Sequence, residues 1–349
     1  MKSSRVSLKT TILELFGLRG NPHKNRIGLE IEVEGSGIPN PEWSSRYWKI
    51  VPEGSLRNGH EFVTGAQCTI GNLPTYLEDL SLGLKGAKID FSIRTSTHLH
   101  VNVANFTIEE VYAVISAFYL VEDTLVRSQG KPRMGNLFCL RSKDAEGIFE
   151  ILINQINSGM HLQIEQNLRY GALNLNALSK FGSVEFRFMK AMTDTGLLRL
   201  WTENLYNLVH RAKELGSVRE VVFQYKRAKN LRDFYALFFT DEMLKLLHPY
   251  MTDAQEVLPY ILLLQKSLKR LDKPAKVKYN FRFTEDLDKD AVREFDVPVM
   301  APPVGNELKI RPNLTELVAQ LQTPAPPPPQ AGMIMPDWFT VNAVDDSNG

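Results

Sequence analysis

Ile27-Gly-Leu-Glu-Ile-Glu-Val-Glu34 alternates between two kinds of side chain along its whole length, and this stretch decides the fold class. Successive side chains of a β-strand point to opposite faces, so residues i and i+2 share a face about 6.6 Å apart. The two faces are a charged one of Glu30, Glu32 and Glu34 and an apolar one of Leu29, Ile31 and Val33. The stretch therefore predicts a sheet strand whose apolar side packs beneath helices.

Four more stretches have strand-like patterns, namely Trp48–Val51, His60–Thr64, Thr97–Val103 and Gly182–Met189. The polar faces of the last two carry His98, His100, Asn102, Glu185 and Arg187. A solvated face of an antiparallel sheet also alternates, so one such strand alone indicates no function. Together these faces hold Glu, His, Asn and Arg with almost no Lys, which is unlike an ordinary solvated surface.

This set of side chains points to divalent cations. Neighbouring glutamates repel one another, which raises their pKa values unless a cation lies among them. Dense carboxylate oxygens favour Mg²⁺ or Mn²⁺, and Mn²⁺ tolerates an imidazole ligand better. Zinc is disfavoured because His60-Glu61 is followed by Phe-Val-Thr and forms no HExxH motif. The sequence also lacks a GxxxxGK[ST] loop and a GxSxG elbow, so its chemistry would depend on metals and charge.

Helical patterns separate and follow the strands, which together predict an α+β fold. Leu73–Lys85 is compatible with a short helix, and Thr107-Ile-Glu-Glu110 is a capping box at the start of a longer one. From Thr195 to about Arg270 the pattern is helical, with apolar residues at core spacing.

Composition excludes several classes of protein. The chain has 349 residues, with 41 Lys and Arg against 40 Asp and Glu. The chain as a whole therefore lacks the positive electrostatic field that attracts nucleic acid. A run of Lys and Arg within 211–232 fits a solvated helical face better than a nucleic-acid contact. Two isolated cysteines argue against a disulfide scaffold. The apolar stretches are too short for a signal peptide or a membrane span, so we expect a cytoplasmic location.

The composition changes after Lys273, where an acidic segment at 285–296 is followed by five prolines within 324–329. Such a segment favours polyproline II or irregular chain. We therefore expect a catalytic domain over 1–270, with a helical C-terminal part. Residues 271–349 are expected to form a largely irregular acidic and Pro-rich tail, which carries no catalytic group from about residue 320 onward.

Five groups of residues, in this order, resemble motifs of the amidoligase family. They are Gly28–Glu34, Val51–Leu56 with His60–Val63, Thr97–His100, Arg169–Asn174 and Ser183–Arg187. The resemblance implies the glutamine synthetase and glutamate–cysteine ligase fold, an antiparallel sheet curved into a half-barrel with helices on its convex face. It also implies ATP and two or three divalent cations, Mg²⁺ or Mn²⁺, and activation of a carboxylate as an acyl phosphate that an amine attacks.

The resemblance also assigns residues. It implies metal ligands at Glu30, Glu32, Glu61, His98 and Glu185 and nucleotide contacts from His100, Asn174 and Arg187. It implies catalytic contacts from Arg187 to the transferred phosphoryl group, from Arg169 to a carboxylate or phosphate, and from Glu53. The substrates would be a small-molecule or peptide carboxylate and an amine; the pattern leaves their identities and the oligomeric state open.

Two other functional classes fit the same polar faces. One is a metal-dependent phosphoesterase or nuclease, and the other is a non-catalytic binding module on the same fold. Nucleotide consumption separates the ligase from these two alternatives. A ligase requires ATP, a hydrolase does not, and a binding module catalyses neither reaction.

Overall fold

Seven β-strands form one antiparallel sheet in a computed structural model that describes residues 6–18, 25–43, 45–65, 67–145, 147–163 and 170–271. The strands are β1 (Ile27–Ser36), β2 (Trp48–Pro52), β3 (Gly59–Thr64), β4 (Lys88–Asp90), β5 (Ser96–Asn102), β6 (Leu173–Asn174) and β7 (Ser183–Lys190). The helices are α1 (Ile12–Phe16), α2 (Leu73–Gly83), α3 (Ile108–Ser128), α4 (Gly147–Ser158), α5 (Ala177–Phe181), α6 (Thr195–Leu215), α7 (Val218–Arg227), α8 (Leu231–Tyr235), α9 (Asp241–Leu247) and α10 (Leu258–Leu271). The α+β class predicted from the sequence is therefore confirmed.

The strand order is β2-β3-β1-β5-β7-β6, and β4 pairs with the far end of β1. Strand β1 thus lies between β3 and β5, and β5 lies between β1 and β7. The register places Glu32 opposite Glu61, Glu30 opposite His98, and His100 opposite Glu185. Directly opposed residues of an antiparallel pair share a face, so the polar faces predicted for the separate strands form one continuous polar face.

The other face of the sheet packs against α3 and α6. The ring of Phe118 in α3 lies 5.4 Å from that of Phe186 and 6.0 Å from that of Phe188 in β7. Trp201 of α6 contacts Phe188 at 5.7 Å. These rings are almost completely buried and form part of the hydrophobic core.

Helix α3 begins at the predicted capping box. The hydroxyl of Thr107 accepts a hydrogen bond from the Glu110 backbone N–H at 3.3 Å, and the Glu110 carboxylate accepts one from the Thr107 N–H at 2.7 Å. Both bonds satisfy N–H groups that a helix start leaves without an intrahelical partner.

The structure refines two predictions about helices. The helical pattern from Thr195 to Arg270 is divided into α6–α10, and α2 ends at Gly83. The short strands β4 and β6 have no clear sequence pattern. The predicted tail lies outside the described residues except for Leu271, where α10 ends, and the half-barrel curvature stays a prediction. No helix in the described ranges is long and apolar enough to cross a membrane.

Candidate active site

Glu30 lies on the polar face between two histidines of β5. Its Oε2 is 3.1 Å from His98 Nδ1, and its Oε1 is 3.2 Å from His100 Nε2. Each imidazole has a second partner on its other ring nitrogen: Ser96 Oγ lies 2.8 Å from His98 Nε2, and Ser183 Oγ lies 3.1 Å from His100 Nδ1. The two rings are therefore fixed with one nitrogen directed at Glu30.

Two groups of possible metal ligands share this glutamate. One is Glu30, His100 and Glu185, and the other is Glu30, Glu61 and His98; the ligand atoms of each group lie within 4.8 Å of one another. His100 Nε2 is buried and, apart from its 3.2 Å contact with Glu30 Oε1, has no hydrogen-bond partner among the described residues, so this nitrogen could coordinate a cation. Carboxylate oxygens with one imidazole suit Mn²⁺ and, with more water, Mg²⁺. The residues present therefore fit a divalent cation.

The charges of this cluster are unevenly distributed. Burial alone would raise the pKa of Glu30, but its close contacts with His100 and His98 outweigh burial and hold that pKa well below its usual range. Burial likewise opposes ionisation of Glu185, whose pKa the charges of His100 and Arg187 lower. The expectation of raised pKa values for all the strand glutamates is thus wrong for Glu30 and Glu185, because histidine and arginine neighbours compensate for the repulsion.

The pKa of Glu61 is raised, as the repulsion between the strand glutamates predicts. Burial, together with the charges of Glu30, Glu32 and Glu53, raises the pKa of Glu61 to about 8. Its direct cross-strand neighbour Glu32 accepts a hydrogen bond from the Ser96 hydroxyl. This side of the cluster has an excess of negative charge, which a cation would relieve.

Glu53 comes from the connection between β2 and β3. Its Oε1 accepts a hydrogen bond from the Ser55 backbone N–H at 3.0 Å, and Glu53 lines the same cavity as Glu61. The sequence prediction placed Glu53 in the site from the hairpin, and the structure brings it into the same cavity.

Glu185 and Arg187 follow each other on the polar face of β7. Arg187 Nη1 donates to Glu185 Oε1 at 2.5 Å and lies 3.5 Å from His98 Nδ1. Asn174 donates through Nδ2 to Glu185 Oε2 at 2.6 Å, and its Oδ1 accepts from the Asn176 N–H. The Asn174 amide is thus used to hold Glu185, whereas Arg187 Nε is buried without a hydrogen-bond partner among the described residues.

Two cavities border Glu30. The polar cavity has a volume of about 340 Å³ and is lined by Glu30, Glu32, Glu53, Ser55, Glu61, Arg94, Ser96, His98, Phe138, Tyr170 and Arg187. The apolar cavity, of about 380 Å³, borders Glu30 and His100 and is walled mainly by apolar side chains, including Leu13, Leu18 and Phe181. A ligand that filled both cavities would pass directly over Glu30.

The predicted site residues that the structure describes come together here. Arg169 is outside the described residues, so its role stays a prediction; its neighbour Tyr170 lines the polar cavity. Sequence reasoning missed Ser96, Arg94 and Phe138. Ser96 could have been found, because it shares the alternating face of His98 two residues away. Arg94 and Phe138 lie in loops without any periodic signal.

Comparison with known proteins supports one family. The model of a family described as "Putative amidoligase enzyme" matches residues 81–208. This match supports the amidoligase family. The amidoligase match indicates a ligase-type enzyme and includes His98, His100, Glu185 and Arg187, whereas the glutamates of β1 and β3 precede it. No curated protein matches the chain.

Proposed function

We propose that this chain is an ATP- and divalent-metal-dependent carboxylate–amine ligase that forms an amide or isopeptide bond through an acyl phosphate. The observation that carries the proposal is the position of Glu30 in two adjoining groups of metal ligands, on the wall of a cavity that Arg187 also lines. Phosphoryl transfer requires cations on the phosphate oxygens and little covalent help from the protein. The amidoligase match is consistent with this chemistry.

The two ligand groups would hold two cations. Glu30, Glu61 and His98 would bind one, with Glu32 beside them, and Glu30, His100 and Glu185 would bind the other. When bound, such cations neutralise phosphate charge and orient the phosphoryl group. Asn174 supports this arrangement, because its Nδ2 donates a hydrogen bond to Glu185 Oε2 and thereby restricts the orientation of that carboxylate.

Arg187 provides the fixed positive charge. Its ion pair with Glu185 holds the guanidinium at the polar cavity, and its Nε–H, which has no partner among the described residues, could donate to an anionic oxygen. A guanidinium binds phosphate or carboxylate through two parallel donors, which a lysine cannot reproduce. We assign Arg187 to the charge that develops on the transferred phosphoryl group.

The two cavities suggest where each substrate lies. We expect the base of ATP in the apolar cavity, where the Phe181 ring is 67% exposed and stands edge-on to His100 at 5.9 Å. The polar cavity would then receive the phosphates and the substrate carboxylate. Arg94, whose Nη1 donates to the Ser55 carbonyl at 2.9 Å, adds a second guanidinium to this cavity.

Titration with Mn²⁺ in the presence of a non-hydrolysable ATP analogue tests the metal sites by calorimetry. Glu30→Gln should lose both bound ions, because it removes a ligand from both groups, whereas Glu61→Gln should lose one. Glu34→Gln is the matched control, since Glu34 lies on the same face of β1 but accepts the Arg57 N–H at 2.8 Å. Wild-type stoichiometry and affinity in Glu30→Gln would contradict the proposed metal sites.

Turnover tests the reaction class. The full-length chain, incubated with ATP, Mn²⁺ and a panel of carboxylates, should release ADP, and hydroxylamine in place of the amine should yield a hydroxamate from the acyl phosphate. Arg187→Lys should still bind the nucleotide while turnover falls about 10²-fold, as for loss of a transition-state donor. Phosphoester cleavage without ATP would favour the hydrolase alternative, and a wild-type rate in Arg187→Lys would remove this arginine from the mechanism.

A further inference from the structure

Arg133 is the most deeply buried arginine next to the site among the described residues, and the reaction proposed above does not use it. It lies in a short 3-10 turn, Lys131–Arg133, that follows α3, and only 2% of its surface is exposed. It forms no ion pair with any carboxylate in the part of the chain that the structure describes. Burying a charged group without a counter-charge is costly unless hydrogen bonds compensate for the lost water.

The compensating bonds go to the backbone of β7. Arg133 Nη2 donates to the Arg187 carbonyl at 2.5 Å, and Nε donates to the Phe188 carbonyl at 3.1 Å. One guanidinium therefore binds the carbonyls of two successive residues. Its planar fork of donors allows this, whereas the single ammonium of a lysine cannot match both acceptors in the same way.

These two carbonyls belong to an irregularity in the sheet. Thr97 pairs with Met189 and Leu99 pairs with Phe186, so β7 has one more residue than β5 between the two pairs. Arg187 and Phe188 both lie opposite His98 as a result. Such a β-bulge disrupts the hydrogen-bond ladder and redirects the side chains next to it.

Strand β6 leaves the bulge carbonyls without a partner, because its pairing with β7 ends at Leu173 and Phe186. Beyond that pair, the Arg187 N–H still donates to the Ala172 carbonyl at 2.9 Å, and Gln129 accepts the Lys190 N–H at 3.2 Å. Arg133 supplies the bonds between these two points. Arg133 therefore binds the backbone of Arg187, the residue whose guanidinium we assign to the transferred phosphoryl group.

We propose that Arg133 is a positioning residue that binds both bulge carbonyls and thereby fixes the Arg187 guanidinium at the polar cavity. The effect on turnover rests on the proposed function; the effect on Arg187 geometry does not. Without Arg133, the two carbonyls lose their partner and the bulge relaxes toward a regular ladder. Arg187 then leaves Glu185 and His98, and a misplacement of about 1 Å is enough to reduce turnover strongly.

NMR of the arginine side chains measures the geometry directly. The Nε–H resonance of Arg187, identified by its loss in Arg187→Lys, should be protected from solvent exchange in the wild type. Arg133→Met should shift it and accelerate its exchange. Arg141→Met is the matched control, because Arg141 is in the same connection after α3 but binds Asp123 and Asp144 instead of β7.

A double-mutant cycle separates positioning from a general loss of stability. Arg133→Met should lower the rate of ADP release by roughly 10-fold or more, with the KM for ATP unchanged, but should have no further effect in the Arg187→Lys background. A merely structural role predicts the same loss in both backgrounds. If Arg133→Met does not fold, Arg133→Lys replaces it, with a smaller shift of the same resonance expected.

An unchanged Arg187 resonance in the folded Arg133 variant would overturn the proposal whatever the enzyme's activity. If the wild type shows no ATP turnover but the resonance moves, the proposed function fails and the positioning role stands. Equal losses of turnover in both backgrounds of the cycle would also overturn it.

Discussion

Replacing Glu122 with glutamine should remove a pH dependence from the stability of this protein. Glu122 is a buried residue of α3, and its Oε2 accepts hydrogen bonds from the backbone N–H and the hydroxyl of Ser142. Its Oε1 is buried without a hydrogen-bond partner among the described residues. Burial raises the pKa of Glu122 to about 8, with Asp144 adding to the effect and the Ser142 bonds and the charge of Arg141 opposing it.

The sign of the effect follows from proton binding. Above the ordinary pKa of 4.5, the unfolded chain loses this proton while the folded protein keeps it up to about pH 8. The folded state therefore binds more protons, and its stability falls as the pH rises. One pKa unit corresponds to about 1.4 kcal/mol, so the full shift amounts to a loss on the order of 5 kcal/mol across this interval.

Glutamine resembles the protonated carboxyl group and should remove this loss. We expect Glu122→Gln to resemble the wild type near pH 5 and to become progressively more stable than it toward pH 8. Urea unfolding of both proteins at each pH gives the difference in free energy, in which the contributions of unrelated groups such as Tyr119 cancel. Glu214→Gln, at an exposed helix position, is the control and should show no such trend.

Parallel pH profiles for the wild type and Glu122→Gln would refute this reasoning. They would mean that Glu122 is ionised in the folded protein and stabilised by groups other than Ser142. The result matters for the site, because the connection that Ser142 anchors to α3 also carries Phe138, a wall of the polar cavity.

Two further predictions concern folding. Thr107→Ala should cost about 1 kcal/mol of unfolding free energy, because it removes the hydroxyl that caps α3, whereas Thr107→Ser should be close to the wild type; equal losses in both variants would contradict the cap. Phe118→Ala should cost about 3–5 kcal/mol, since the ring fills the space between α3 and the sheet, whereas Phe118→Leu should cost less. A loss below about 1 kcal/mol for Phe118→Ala would show that the core can collapse around the gap.

The strands of the site were predictable because alternation is a local property. In β1, the apolar residues Leu29 and Ile31 are fully buried, and Glu30 and Glu32 face the opposite side, as the period of two requires. The start of α3 was predictable for a similar reason, since Thr107 and Glu110 satisfy each other's N–H groups within one turn.

What the sequence could not provide was the register between strands distant in the chain. Glu30 is opposite His98 and His100 is opposite Glu185, and both pairings arise only when the sheet is assembled. The same assembly accounts for the lowered pKa values of Glu30 and Glu185, because the histidines offset the repulsion expected from the glutamates alone. The bulge at Arg187, and the guanidinium of Arg133 that binds it, involve residues more than 50 positions apart.

The order of the strands explains why Glu30 belongs to both groups of possible metal ligands. Strand β1 is flanked by β3 and β5, so a side chain on its polar face can meet ligands from both neighbours. Glu30 does so with Glu61 on one side and the two histidines on the other, whereas Glu185, on β7, belongs to only one of the two groups of possible metal ligands. Glu30 is common to both groups because its strand places it between the carboxylate of β3 and the imidazoles of β5.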